Sequence, residues 1–205
     1  MYKPIILSVL FLLASCSQKS KSENKNPEIS KKDSVSLPVP TKTPQSEKTS
    51  KLLVGEKIEG DFDGDGKNEL ATVTKTKEGK GNPIEDGTPD EYTISFSNSL
   101  LKPIIIGCCD AQLINEGDLN NDGKDEFSVF QAPMNGCTYS MTTYSLKDSN
   151  WKQIIEPFLI STGCDTVTPE DLQKRIFIEN KTVFKMETDP NDENLKLVRK
   201  KIDLK

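Results

Sequence analysis

The sequence predicts a mainly β fold after residue 50, and two observations lead to that prediction. Short runs of β-branched and aromatic residues recur there, separated by Gly, Asn, Asp and Pro, as is typical of strands and turns. Two acidic loops, Asp61–Glu69 and Asp118–Glu126, lie 57 positions apart, and each begins a similar train of strands. A spacing of roughly 50 to 60 residues suits one four-stranded unit per repeat. The predicted strands of these two trains are Leu70–Thr74, Tyr92–Phe96, Pro103–Ile106, Gln112–Asn115, Phe127–Phe130, Thr138–Tyr144 and Trp151–Ile155.

A third, degenerate train follows the second one and lacks an acidic loop. Its predicted strands are Ile176–Asn180, Thr182–Met186 and Leu195–Leu204. Thr168 precedes it and is placed to cap a single helical turn, with Pro169 in the first position. We therefore expect about three antiparallel blade-like units, arranged as a partial β-propeller or a curved β-sandwich, with about eleven strands and one short helix.

The two acidic loops place oxygen-bearing side chains at alternate positions, which is a pattern typical of calcium sites. Ca²⁺ takes six to eight oxygen ligands, and alternate residues of a tight loop turn toward one ion. Gly66 and Gly123 hold the sixth position, where a sharp bend requires positive φ. The seventh residue contributes its backbone carbonyl, so a lysine there is harmless. The candidate ligands for two Ca²⁺ ions are Asp61, Asp63, Asp65, Lys67 and Glu69, and Asp118, Asn120, Asp122, Lys124 and Glu126.

An EF-hand, a dockerin module and a solvated turn are the alternatives to such a calcium loop, and each is less favoured. An EF-hand needs flanking helices and a bidentate glutamate at position twelve, where this chain has Thr72 and Val129. Dockerin modules also carry paired loops of this kind, but a helix follows each of them. Solvated turns are plausible because Asp-Gly and Asn-Asp-Gly are good turn sequences. Two copies with five matched ligand positions argue against them.

The segments Gly60–Val73 and Gly117–Val129 closely resemble the FG-GAP and VCBS class of repeats, known from bacterial surface proteins and from the integrin α-subunit β-propeller. The resemblance covers about an eighth of the chain. It implies blade-like antiparallel units with calcium in the loop between two strands. The chain lacks the Phe-Gly and Gly-Ala-Pro signatures, and about three units are too few for a usual closed propeller. An open partial propeller, a curved sandwich and a piece completed by oligomerisation all remain open.

The first fifteen residues have the pattern of a secretory signal peptide. Lys3 precedes an apolar run from Ile5 to Leu13, which is too short to span a bilayer. The sequence Leu-Ala-Ser-Cys16 resembles the bacterial lipobox, in which the signal is cut before a cysteine that becomes lipidated. An ordinary signal peptide with an incidental cysteine is the alternative. The resemblance implies a membrane anchor on the bacterial cell envelope, with the outer membrane favoured.

Residues 16–50 have the composition of a tether. They are rich in Ser, Lys, Pro and Thr and contain few large apolar residues, so they bury too little surface to offset their ordering entropy. The remaining residues, 51–205, are enough for one compact domain. The whole chain has a formal charge of −5, and the first 50 residues hold eight lysines against four acids, so the domain carries about −9. Such a charge argues against a nucleic-acid partner.

The domain contains no histidine and four cysteines, Cys108, Cys109, Cys137 and Cys164. The absence of histidine removes the commonest general base and transition-metal ligand. Export permits disulfides. Adjacent cysteines on a strand point to opposite faces, which favours Cys108 and Cys109 each bonding a different partner over a bond between the two. A zinc cluster is the alternative, although two adjacent and two distant cysteines are not a usual ligand spacing.

Three functions are compatible with these features. The favoured one is an envelope lipoprotein whose calcium-stiffened domain binds a glycan or a protein, or serves a structural role. Tyr139, Tyr144 and Trp151 are either an aromatic binding face or ordinary packing. A glycan-processing enzyme with a carboxylate pair is the second function, and no motif supports it. Its candidate carboxylates are Glu85, Asp86, Asp90, Glu91, Asp165 and Glu170. A calcium-dependent assembly subunit is the third function.

Overall fold

A computed structural model describes residues 51–205, all of which belong to one compact unit. The predicted signal peptide, the tether and Cys16 lie outside the described residues. Within residues 51–205, no helix is long and apolar enough to span a membrane. The strands are β1 (Val54–Gly55), β2 (Lys57–Gly60), β3 (Glu69–Lys77), β4 (Glu91–Phe96), β5 (Ile104–Gly107), β6 (Ala111–Gly117), β7 (Glu126–Gln131), β8 (Thr138–Lys147), β9 (Asn150–Gln153), β10 (Phe158–Ser161), β11 (Ile176–Glu179), β12 (Thr182–Thr188) and β13 (Leu197–Ile202).

The prediction of a mainly β fold with antiparallel sheets is confirmed. The described strands form a four-stranded sheet (β2-β3-β4-β5), a six-stranded sheet (β1-β6-β7-β8-β10, with β9 paired to β8) and a three-stranded sheet (β11-β12-β13). All three of these sheets are open. The described residues contain thirteen strands where the sequence predicts about eleven. Strands β1, β2 and β10 are not among the predicted strands: all three are short, and β1 and β2 each contain a single large apolar residue.

The one helix in the described part of the chain, α1 (Pro169–Gln173), begins as expected. The Thr168 side chain accepts a hydrogen bond from the backbone N–H of Asp171, and Pro169 occupies the first turn, where its missing N–H costs nothing. Leu172 is fully buried and attaches this single turn to the core. The three strands predicted after the helix are present as β11, β12 and β13.

The six-stranded sheet is buried on both faces. Leu113 and Phe127 lie in a first core shared with the four-stranded sheet. Ile114 and Phe130, on the same two strands, lie in a second core on the opposite face. The second core also contains residues of α1, β11 and β12, such as Leu172. Alternate side chains of a strand point to opposite faces. Strand β7 is therefore buried along almost its whole length, including its polar residues Glu126 and Ser128.

Aromatic rings dominate the first core. Phe127 is fully buried and contacts Phe62, Phe96, Tyr144 and Trp151, with ring centroids 5.2–5.9 Å apart. Offset or edge-on aromatic pairs at this separation stabilise a core beyond their buried area. These contacts come from both sheets, so Phe127 holds the four-stranded sheet against the six-stranded one.

Packing accounts for the three aromatic residues that the sequence left open as a binding face. Trp151 stacks on Phe96 and donates its indole N–H to the carbonyl of Lys102 at 2.8 Å. Tyr144 stacks on Phe127, and Tyr139 stacks on Phe130 with centroids 4.5 Å apart. Their rings are engaged within the domain, which leaves no exposed aromatic face formed by the three together.

The expected cysteine pairing is wrong. Cys108 bonds to Cys109, and Cys137 bonds to Cys164. Cys108 and Cys109 lie in the turn after β5 rather than on a strand, so the alternation that would turn them to opposite faces does not apply. Cys137 directly precedes β8 and Cys164 follows β10, and these strands pair with Thr138 opposite Ser161. That pairing brings the Cα atoms of Cys137 and Cys164 to 5.0 Å.

We expect the substitution Phe127→Ala to lower the free energy of unfolding by about 3–5 kcal/mol, because it removes a buried ring and leaves a cavity between two sheets. Chemical denaturation of the full chain measures the change. Ile84→Ala is the matched control, because the Ile84 side chain is 64% exposed, and it is expected to change stability by less than about 0.5 kcal/mol. A loss below about 1 kcal/mol for Phe127→Ala would contradict the central place of this ring.

Candidate metal centre

The two acidic loops occupy equivalent places in two hairpins. The first connects β2 to β3, and the second connects β6 to β7. Gly60 pairs with Glu69 at the base of the first loop, and Gly117 pairs with Glu126 at the base of the second. Each loop therefore starts after a glycine and ends at the glutamate opposite it, with eight residues between the paired positions.

In the first loop, each acidic side chain folds back onto the backbone ahead of it. Asp61 accepts hydrogen bonds from the N–H groups of Gly64 and Gly66 at 2.9 and 3.0 Å. Asp63 accepts one from the N–H of Asp65 at 3.0 Å, and Asp65 accepts one from the N–H of Lys67 at 2.8 Å. These bonds curl the chain into a tight turn, with the first, third and fifth side chains inside it.

The Glu69 side chain closes the first loop from below. One carboxylate oxygen accepts a hydrogen bond from the N–H of Phe62 at 2.9 Å. This hydrogen bond attaches the second position of the loop to the ninth. The Glu69 side chain is itself buried. The Phe62 ring beneath it belongs to the first core, so the loop is anchored to the sheet on its inner side.

The second loop repeats every one of these bonds at the same spacing. Asp118 accepts from the N–H groups of Asn121 and Gly123 at 2.6 and 2.9 Å. The side chains at the third and fifth positions each accept from the N–H two residues ahead, at 2.8 and 3.0 Å. Glu126 accepts from the N–H of Leu119 at 2.7 Å. The two loops are therefore structural copies, although Asn120 replaces the aspartate at the third position.

The glycine at the sixth position has the same backbone conformation in both loops. Gly66 and Gly123 each have a φ of +86°, which residues with a Cβ adopt at a cost. A Cβ added at either position would meet no atom within 4 Å. The requirement for glycine at these two positions is therefore conformational and does not come from crowding.

The first loop has the dimensions of a cation site. Ligand oxygens of Asp61, Asp63 and Asp65 all lie within 4.8 Å of one another. Oxygens around one Ca²⁺ ion sit about 2.3–2.6 Å from it, so two of them are separated by up to about 5 Å. In the second loop Asp118 and Asp122 flank the amide of Asn120, which still supplies an oxygen. The donor set of both loops is made of hard oxygen atoms, which suits Ca²⁺ better than a soft transition metal.

The ninth residue of each loop is a carboxylate taken out of water. Glu126 is fully buried, and burial raises its pKa to about 7, with a smaller contribution from the nearby charge of Asp122. Burial also raises the pKa of Glu69, and Asp63 and Asp61 act in the same direction. An ionised carboxylate in such a place needs a compensating positive charge. A bound cation in the loop would supply one.

The seventh residue of each loop makes a further ion pair. The ammonium of Lys67 lies 3.3 Å from a carboxylate oxygen of Asp65, and the ammonium of Lys124 lies 3.4 Å from Asp122. Lys124 also donates to the carbonyl of Leu146 at 3.2 Å. The ammonium group of each lysine thus pairs with the aspartate at the fifth position. The bonds that shape the loops come instead from the backbone N–H groups of the two lysines.

The two loops touch each other through Asp125, which the ligand pattern does not identify. Its carboxylate accepts from the backbone N–H of Asp61 at 3.1 Å and from the Asn115 amide at 3.0 Å. Its own N–H donates to the carbonyl of Asp61 at 2.8 Å. Lys51 forms an ion pair with it at 3.1 Å. The eighth residue of the second loop therefore fixes the first residue of the first loop.

Asn98 and Ser145 support the loops without any signal in the sequence, and Asn120, a predicted ligand, makes additional contacts. Asn98, from the connection after β4, donates to Asp63 at 2.8 Å. Asn120 donates to Glu126 at 2.9 Å and to Ser145 at 3.3 Å. No spacing rule connects Asn98 or Ser145 with the loops, because tertiary packing alone brings them there.

The candidate carboxylates for catalysis lie in polar surroundings on the domain. Asp90 forms an ion pair with Lys75 at 2.8 Å and accepts from the N–H of Gly79 at 2.7 Å, which indicates a structural role. The Lys75 ammonium lowers the pKa of Asp90. Glu85 and Asp86 lie on an exposed turn, and Asp165 and Glu170 lie on exposed positions around α1.

Comparisons of this chain with protein-family models, with curated proteins and with solved structures returned no significant match.

We expect the metal-free protein to be more stable at pH 5 than at pH 8. The folded pKa of Glu126, about 7, lies above the ordinary value of 4.5, so the folded state binds the extra proton and stability falls as pH rises between these values. A shift of this size corresponds to about 2 kcal/mol over that range. Denaturation in a chelator at both pH values measures it.

Glu126→Gln is expected to remove that part of the pH dependence. Burial also raises the pKa of Glu116, to about 8, so Glu116→Gln serves as the second variant and accounts for the remainder. A metal-free protein whose stability rises from pH 5 to pH 8 would contradict the burial of an ionisable Glu126.

Proposed function

We propose that this protein is a lipid-anchored component of a bacterial cell envelope whose β domain holds two calcium ions and acts as a binding or structural module. The observation that carries the proposal is the pair of equivalent loops. They repeat one set of backbone hydrogen bonds, one register across the hairpin base and one glycine conformation. Solvated turns have no reason to share all three features.

We also propose that the β domain is built from repeats of the FG-GAP and VCBS-like class. Two hairpins that begin and end alike, each with a loop of oxygen donors, support an internal duplication of one β unit. The third sheet (β11-β12-β13) has the place in the chain of a third unit without a loop. Three open antiparallel sheets are compatible with blades of a partial propeller.

We infer a structural role for the calcium ions. Asp61, Asp63 and Asp118 already hold their loop shapes through backbone N–H groups. A cation would therefore bind a shaped loop and offset the repulsion among its carboxylates. Binding would also compensate the buried charge of Glu126, which ionises only at a cost in the absence of metal. Rigid hairpin ends then present a fixed surface to a partner.

The surface beside the second loop offers a place for such a partner. An open cleft of about 630 Å³ lies between that loop and the three-stranded sheet. Asp118 and Asn120 line one side, and Lys181 and Lys201 line the other. Its floor contains apolar side chains such as Ile202. The cleft therefore combines an apolar floor with a charged rim, as ligand sites commonly do.

We expect the full chain to bind two Ca²⁺ ions and to melt at a higher temperature in calcium than in EGTA. With dissociation constants near 10⁻⁴ M, typical of tight extracellular modules, 1 mM calcium would stabilise each site by about 1.4 kcal/mol. That corresponds to a rise of about 3–6 °C per site in a domain of this size. Isothermal titration calorimetry measures the stoichiometry, and calorimetric melting measures the shift.

The variants Asp61→Asn and Asp118→Asn are each expected to remove one ion. Asp165→Asn, an exposed acid outside the loops, is the matched control and should keep both ions. Absence of calcium binding together with a melting temperature insensitive to EGTA would refute the calcium part of the proposal. Two ions still bound by either loop variant would contradict the assignment of an ion to that loop.

The lipid anchor has its own prediction. We expect Cys16→Ser to move the protein from the membrane fraction to the soluble fraction, because acyl chains attached at that residue provide the anchor. Fractionation of cells expressing the full chain measures the distribution, and intact mass measures the loss of lipid. Ser20→Ala, in the same segment, is the control and should leave the protein on the membrane. A membrane-bound Cys16→Ser protein would refute the anchor.

A further inference from the structure

The turn that joins the four-stranded sheet to the six-stranded sheet consists of three residues, two of which are bonded cysteines. Strand β5 ends at Gly107 and β6 begins at Ala111, so the Cys108–Cys109 disulfide and Asp110 are the whole connection. Both cysteines are half-buried. The two acidic loops do not involve this pair.

The Cys108–Cys109 bond contributes little to holding the fold together. A disulfide stabilises mainly by restricting the unfolded chain, and the effect grows with the number of residues enclosed. Cys137 and Cys164 are 27 positions apart and close a long loop across β8 and β10. Cys108 and Cys109 are neighbours and enclose no other residue. A stabilising role therefore explains the Cys137–Cys164 bond but not the Cys108–Cys109 bond.

Covalent geometry makes the bond between neighbours the more easily reduced of the two. Adjacent residues keep their Cα atoms within about 3.8 Å, whatever the conformation of the chain. Unstrained disulfides usually separate the Cα atoms by at least about 4.4 Å, and a bond outside that range is more reducible. The 5.0 Å separation of Cys137 and Cys164 lies inside the range. The access of a reductant to the sulfur atoms does not explain this difference in ease of reduction, because Cys164 is more exposed than Cys108 or Cys109.

The turn is connected to both sheets by contacts that depend on its conformation. The Gln131 amide, on β7, donates to the carbonyl of Ile106 at 3.0 Å and to that of Cys109 at 3.4 Å. The carboxylate of Asp110 interacts with the phenol of Tyr92, on β4, and this interaction raises the pKa of Tyr92 to about 12. A change at the cysteines would alter both contacts.

We propose that Cys108–Cys109 is a thiol–disulfide exchange site for dithiols, reduced while the fold and the Cys137–Cys164 bond stay intact. One thiolate of the dithiol attacks a cysteine sulfur, and the other cysteine leaves as a thiolate. The second thiol of the reductant then attacks the mixed disulfide. The dithiol is oxidised to a disulfide, and two electrons and two protons pass to the cysteines. Reduction frees the turn and loosens the contacts of Gln131 and Tyr92.

The exchange site is separated from the acidic loops by the length of the sheet. Strand β6 carries the turn at Ala111 and the second loop after Gly117, about 20 Å away at the usual rise per residue. Strand β4 likewise holds Tyr92 at the end remote from Phe96. The proposal therefore does not depend on calcium, and its failure would leave the calcium proposal unaffected.

The test equilibrates the full chain with graded dithiothreitol, blocks free thiols with N-ethylmaleimide and assigns the labels by peptide mass. We expect Cys108 and Cys109 to be labelled at a dithiothreitol concentration at least tenfold below that required for Cys137 and Cys164. The melting temperature at that first step should match that of the untreated protein. Labelling of Cys137 and Cys164 first, labelling of all four together, or unfolding at the first step would overturn the proposal.

Two variants and one spectroscopic readout complete the test. Cys108→Ser with Cys109→Ser should keep the melting temperature, whereas Cys137→Ser with Cys164→Ser should lower it. After selective reduction and blocking, tyrosinate absorbance at pH 11 should increase, because Tyr92 moves away from the Asp110 carboxylate and its pKa returns to its ordinary range. Tyr92→Phe identifies the signal, since that variant should show no increase. An absorbance unchanged by reduction would refute the link between the disulfide and the turn.

Discussion

The constraint on which the rest of the structure depends is the burial of a glutamate at the end of each acidic loop. Glu69 and Glu126 face Gly60 and Gly117 across the hairpin base, and each accepts the N–H of the second loop residue. The bond fixes the register of the hairpin and points the loop away from the core. Because the carboxylate is buried there, its ionised form is disfavoured unless a positive charge lies close to it. The fold thus places a carboxylate that favours a nearby positive charge where the oxygen donors of the loop converge.

The two loops act as parts of one surface rather than as separate sites. Asp125 belongs to the second loop, yet its carboxylate and its N–H both bond to Asp61 in the first. Asn115 adds a bond of its own, from its side chain to the carbonyl of Glu59. A change in the position of the second loop therefore displaces Asp61 in the first. Contact between hairpins of different sheets also explains why the four-stranded and six-stranded sheets meet at this end.

Sequence reasoning succeeded where local chemistry decides the structure. The helix at Pro169 depends on a cap and a proline, and most strands depend on β-branched runs. Sequence reasoning failed where contacts with residues distant in the sequence determine the structure. Strand β2 contains a single large apolar residue, Ile58, and is a strand because β3 lies beside it. The cysteine pairing was wrong because a three-residue turn replaced the expected strand. The role of Asp125 is tertiary, and the loop pattern contains no signal for it.

The central sheet keeps the chemistry of its two ends apart. Strands β6 and β7 are buried on both faces, so each is held along its length by packing rather than by its ends. One end of β6 leads into an acidic loop with a buried carboxylate, and the other begins at a disulfide-bonded turn. The seven residues of β6 place those two ends about 20 Å apart at the usual rise per strand residue. Packing on both faces fixes that separation. The buried sheet accordingly functions as a spacer as well as a core.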